Sequence, residues 1–103
     1  MKYHARLMLE ENVVRLEYIV KKGNGGYYGV EVLEVDHNGA IERNSVFPIC
    51  KNRASALDIA KTLAKNTVTP TTLEYIIEDI KQEWEIKEVI QQEKAVIQTD
   101  LIR

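Results

Sequence analysis

The sequence predicts an α+β domain: an antiparallel meander of three or four strands, packed on one face by two or three helices from the C-terminal part of the chain. Two observations carry this expectation. Residues 2–35 alternate apolar and polar side chains with a period of two, broken by short turn sequences. Residues 53–81 instead repeat apolar side chains at three- and four-residue spacing. Short connections favour neighbouring antiparallel strands, and a sheet with one apolar face needs a helical layer to cover it.

The strands follow in order. In residues 2–9, Tyr3, Ala5, Leu7 and Leu9 alternate with Lys2, His4, Arg6 and Met8, the pattern of a half-buried strand. Glu10-Glu11-Asn12 reads as a tight turn. Over 13–21, Val14, Leu16, Tyr18 and Val20 share one side, with Arg15, Glu17 and Lys21 on the other and Ile19 as an exception among them. Lys22-Gly23-Asn24-Gly25-Gly26 is a connector whose glycines and asparagine tolerate positive φ. Residues 27–35 are rich in β-branched and aromatic side chains. Asp36-His37-Asn38-Gly39 is the next turn, and a weaker fourth strand is expected over 40–47, ended by Pro48.

Asn52 is placed to cap a helix over 53–65, whose apolar stripe is Ala56, Leu57, Ala60, Leu63 and Ala64. Lys61 and Lys65 suit its C-terminal dipole. Thr69-Pro70 is read as the cap and first residue of a second helix over 70–81, with Leu73, Ile76, Ile77, Ile80 and Trp84 recurring at helical spacing. Residues 1–81 thus form one domain. Residues 82–103 read as a helical extension, frayed at its end, whose stripe of Ile86, Val89, Ile90, Val96 and Ile97 is displaced. At about 100° per residue Ile86 lies roughly 180° from Ile77 and 120° from Ile80. Either the chain bends over residues 82–85 and the tail packs on its own sheet, or the second stripe meets another chain.

Tyr28-Gly29-Val30-Glu31-Val32, together with Val68-Thr69-Pro70-Thr71-Thr72-Leu73-Glu74-Tyr75-Ile76-Ile77-Glu78-Asp79-Ile80, resembles a small uncharacterised protein family of clostridia and related Firmicutes. Its members are similar in a tyrosine-glycine-hydrophobic-glutamate strand and in a proline-opened helix with a hydrophobic-hydrophobic-glutamate-aspartate run. The resemblance covers roughly residues 1–80. It implies no activity and gives no residue a role.

Composition narrows the function classes. The chain has 103 residues, 45% of them hydrophobic and 29% charged, with a net charge of -2. These are globular proportions without a general basic field. The first residues lack the apolar core of a signal peptide, and no apolar run is long enough to span a bilayer. With Cys50 the lone cysteine, no intrachain disulfide can form, and the cytoplasm is the expected location.

No phosphate-binding loop, nucleophile elbow or metal-ligand spacing is present. No catalytic, cofactor-binding or metal-binding residue is therefore assigned, and no cofactor is expected. His4 is expected on the solvent side of the first strand and His37 in a turn. Cys50 reads as a small buried residue, with a reactive thiol beside a helix N-terminus as the alternative. Glu74, Glu78, Asp79 and Glu83 read as a solvated helix face. A helix-turn-helix over 56–80 would turn Glu74, Glu78 and Asp79 toward DNA phosphates, which makes nucleic acid an unfavourable partner.

A non-catalytic protein-interaction or regulatory module is the leading expectation. Its candidate surface is Trp84, Ile86, Val89, Ile90, Val96 and Ile97 in the C-terminal segment, serving a homodimer or another protein, together with Tyr27 and Tyr28 beside the glycine loop. A small nucleic-acid-associated regulator and an enzyme with an unrecognised site are the alternatives.

Overall fold

A computed structural model of the chain describes residues 2–9 and 12–84. Four strands, β1 (Lys2–Leu9), β2 (Asn12–Lys22), β3 (Tyr28–Val35) and β4 (Ile41–Cys50), form one antiparallel sheet in the order of the sequence. Helix α1 (Arg53–Lys65) follows, and a second helix, α2, covers 73–84 among the described residues. Both helices pack on one face of the sheet, so the fold is the α+β meander that the two periodicities predict.

The alternation decides which face is covered. Val14, Leu16 and Tyr18 of β2 and Val30 and Val32 of β3 meet Ile59, Ala60 and Leu63 of α1 and Leu73 and Ile77 of α2 in one buried cluster. Tyr3, Ala5 and Leu7 of β1 close its margin. Alanine at 56 and 60 lets α1 lie close to the strands, and both are buried. Full burial of each valine or leucine in this cluster contributes about 1.5–3 kcal/mol.

Local chemistry fixes the connections. Gly39 takes φ 85° in the β3–β4 turn, where the Asp36 carboxylate accepts from the backbone N–H groups of Asn38 and Ala40 at 2.8 and 2.9 Å. The Asn52 side chain accepts from the Ser55 N–H at 3.2 Å and so caps α1. At the other end Val68 N–H donates to the Leu63 carbonyl at 3.0 Å and Thr67 N–H to the Ala64 carbonyl at 3.2 Å. This is a Schellman closure with Thr67 at the left-handed position, φ 48°, where glycine is usual.

Two boundaries differ from the sequence reading. Pro48 does not end β4, which runs on to Cys50. The pairing jumps from Val30 opposite Val46 to Tyr28 opposite Cys50, and proline is tolerated in such an irregularity on an edge strand. The second helix begins at 73 rather than 70. Residues 69–72 form a separate turn closed by Thr72 N–H to the Thr69 carbonyl at 3.2 Å. The first helical bond runs from Ile76 N–H to the Thr72 carbonyl, and Asn44 of β4 holds the Pro70 carbonyl at 3.0 Å.

Candidate interaction surface

Because the two helices cover one face, the other face of the sheet carries the odd residues of β2 and β3 and the even residues of β1. The register lays them out in rows. Lys2, Ile19, Glu31 and Ser45 form one; His4, Glu17, Leu33 and Arg43 the next; Arg6, Arg15, Val35 and Ile41 the third; Met8 and Val13 the last. One-sided antiparallel sheets usually turn polar side chains outward. Here Met8, Val13, Ile41 and Phe47 are 71%, 43%, 56% and 49% exposed, and four large apolar groups stand open on it.

The charges of this face fall into two classes. Glu31 is 6% exposed although no described helix covers it. Lys21 pairs with one of its oxygens, and Arg43 Nη1 lies 3.7 Å from the other. Glu17 receives Lys2 at 3.7 Å and His4 Nε2 at 3.4 Å, a contact that becomes ionic when His4 is protonated. Arg6 and Arg15 differ. They are direct cross-strand partners, like charges so placed repel, and neither has a salt-bridge partner among the described residues. With His4, Glu17 and Val35 they line a depression of about 250 Å³.

Phe47 reaches this face through the β4 irregularity. Its ring lies over Gly29 and Gly23, which have no side chain to obstruct it. Tyr27, at the end of the glycine loop, is 36% exposed, with Lys51 Nζ 4.9 Å from its ring centroid. Tyr28, the first residue of β3, is half-buried. Trp84 is half-buried against the core of its own domain, beside Ile80. With Ile59 and Thr62 they line a groove of about 260 Å³ between the helices. Ile86, Val89, Ile90, Val96 and Ile97 lie outside the described residues.

His4 and His37 are exposed, and the half-buried Cys50 directs its thiol to the Asn52 carbonyl at 3.4 Å. Among the described residues no group of three histidine, cysteine or acidic side chains is placed to hold a metal. No described helix is long and apolar enough to cross a membrane. The outward stripe of α2 is Glu74, Tyr75, Glu78, Asp79, Gln82 and Glu83, all exposed. As a recognition helix it would set four carboxylates against a phosphate backbone.

At the edge of the covered face, Glu34 lies directly opposite Glu42. Burial first, and then the charges of Glu42 and Asp36, raise the Glu34 carboxyl above its ordinary value. A raised carboxyl in the folded state is a cost to folding when ionised. Glu34→Gln is therefore expected to stabilise the domain at neutral pH by roughly 0.2–1 kcal/mol. The gain should shrink as pH falls through the raised value and vanish below the ordinary carboxyl value, where the group is neutral in the folded and unfolded chains alike. Urea denaturation of the two chains at neutral and acid pH checks this.

A family model described as a family of unknown function (DUF6514) matches residues 1–83. No curated protein and no solved structure matches the chain.

Proposed function

We propose, for a chain that belongs to the DUF6514 family, a non-catalytic role as a protein-interaction or regulatory module of the cytoplasm, docking partners on the open face of its sheet. One observation carries the reading. Met8 and Val13 in the row beside the Arg6–Arg15 pair, and Ile41 at the end of the pair's own row, are each 43% exposed or more. Apolar groups around arginine are the composition of a binding surface rather than of a solvated one. The displaced apolar stripe of Ile86, Val89, Ile90, Val96 and Ile97 supports a second contact region in the same role, one that would join two copies.

Site-specific photo-crosslinking in the living source cell tests the docking face. A photoreactive residue at Ile41 should give a discrete protein adduct, and the same residue at Lys65, exposed on α1, should give none. No adduct from Ile41, or equal adducts from both positions, would overturn the assignment.

A further inference from the structure

Resting on the reading of the open sheet face as a docking surface, we infer that its occupant is the acidic α2 stripe of a second copy of this chain. The two surfaces complement each other in charge. The open face carries Lys2, Arg6, Arg15, Lys21 and Arg43 against Glu17 and Glu31. The outward α2 stripe carries Glu74, Glu78, Asp79 and Glu83 with no cation among them, since Lys81 turns back to the Pro48 carbonyl at 3.5 Å.

Each surface also holds repulsion that the other would relieve. Arg6 faces Arg15 across the strands. On α2, Glu74 and Glu78, and Asp79 and Glu83, are four residues apart, where like charges destabilise a helix. Docking one surface on the other places guanidinium groups among carboxylates, a geometry suited to paired hydrogen bonds. Apolar contact accompanies it: Tyr75, 71% exposed in the first turn of α2, would meet the exposed Met8, Val13 and Ile41.

The geometry sets the kind of assembly. The open sheet face and the α2 stripe lie on opposite sides of the domain, so two copies cannot satisfy both contacts about a two-fold axis. Each added copy leaves one basic sheet and one acidic stripe free, which gives a head-to-tail series rather than a closed dimer. A sheet-to-sheet dimer would instead press Arg6 and Arg15 against their own kind. Because the cations of the open face and the four α2 carboxylates are exposed, association should be strong at low salt and screened at high salt.

Sedimentation of the full chain over a concentration series, at low and high ionic strength, tests the inference. The chain should form a growing series at low salt that dissociates at high salt. Arg6→Glu with Arg15→Glu, and separately Glu74→Lys with Glu78→Lys, should each weaken association by about tenfold or more, equivalent to at least one decade in Kd. Mixing the two variants should restore assembly, because each then offers the surface the other has lost. Circular dichroism establishes that both variants fold.

Three outcomes would overturn the inference. The first is a chain that stays monomeric at low salt. The second is an association abolished by Lys61→Glu with Lys65→Glu but untouched by the arginine reversals, which would put α1 in the contact. The third is one abolished by Val89→Asp with Ile97→Asp alone, which would put the C-terminal segment there. A monomeric chain that still gives an Ile41 adduct with a different protein would remove the second copy and leave the docking face standing.

Discussion

Replacing Tyr18 by alanine is expected to cost about 3–5 kcal/mol, a large part of the stability of a domain this size. Tyr18 is the largest fully buried side chain among the described residues, and its hydroxyl donates to the Val68 carbonyl at 2.8 Å. That bond joins the second strand to the segment linking the helices, directly after the Schellman closure of α1. Tyr18→Phe isolates it. The ring still fills its space, but the buried Val68 carbonyl loses its donor, which costs about 1–3 kcal/mol.

The same residue makes stability pH-dependent. Burial, and then the charge of Glu34, push the Tyr18 phenol from about 10 up to about 12. The folded state thus favours the neutral phenol. Its contribution is complete below the unfolded value near pH 10 and is lost as pH rises through about 12. The loss is on the order of 3 kcal/mol, from the free energy of a two-unit shift. Urea denaturation across this window should show the stability difference between the wild type and Tyr18→Phe closing as the pH rises. A difference that stays constant would mean that the phenol is not held neutral by the fold.

The legible parts of this molecule are those that depend on near neighbours in sequence. The alternation in β1 and β2 identified the covered face, and Asn52 with the alanine-rich stripe identified α1. Thr69-Pro70 pointed to a helix start that the structure moves to residue 73, because the hydroxyl-rich turn and the Asn44 contact to Pro70 hold the intervening residues outside the helix. That contact comes from a strand 26 residues away and has no local signature. The β4 irregularity was hidden for the same reason: proline is a strand terminator by local rule, and only the pairing shows that β4 carries extra residues there.

The candidate surface was half visible. Ile19 stood as an apolar residue on a polar side, and Met8 shares the polar side of β1, which was the available signal that the open face carries apolar groups. The opposition of Arg6 and Arg15 needs the register of a hairpin whose turn residues do not dictate it. The α2 stripe was legible as an exposed acidic face. Its complementarity to the sheet was not, because periodicity within one element says nothing about the face of another.

Gly29→Val is expected to lower stability by about 3 kcal/mol or more, at the upper end of overpacking costs. The argument is one of space, because Gly29 takes no positive φ. A Cβ built there would lie 2.5 Å from the Val46 carbonyl oxygen and 2.8 Å from the Phe47 ring. The ring can turn away, but the carbonyl belongs to the backbone of the paired strand. Moving it disturbs the register just where β3 and β4 shift past one another.

A double-substitution cycle separates the two obstacles. Gly29→Ala alone should cost about 1–3 kcal/mol. Combining it with Phe47→Ala should recover only part of that loss, because the carbonyl contact persists when the ring is gone. Complete recovery in thermal or urea denaturation would show the ring to be the sole obstacle. Partial recovery would place the constraint in the backbone, and would make Gly29 the residue that lets β4 cross close enough to hold Phe47 on the open face.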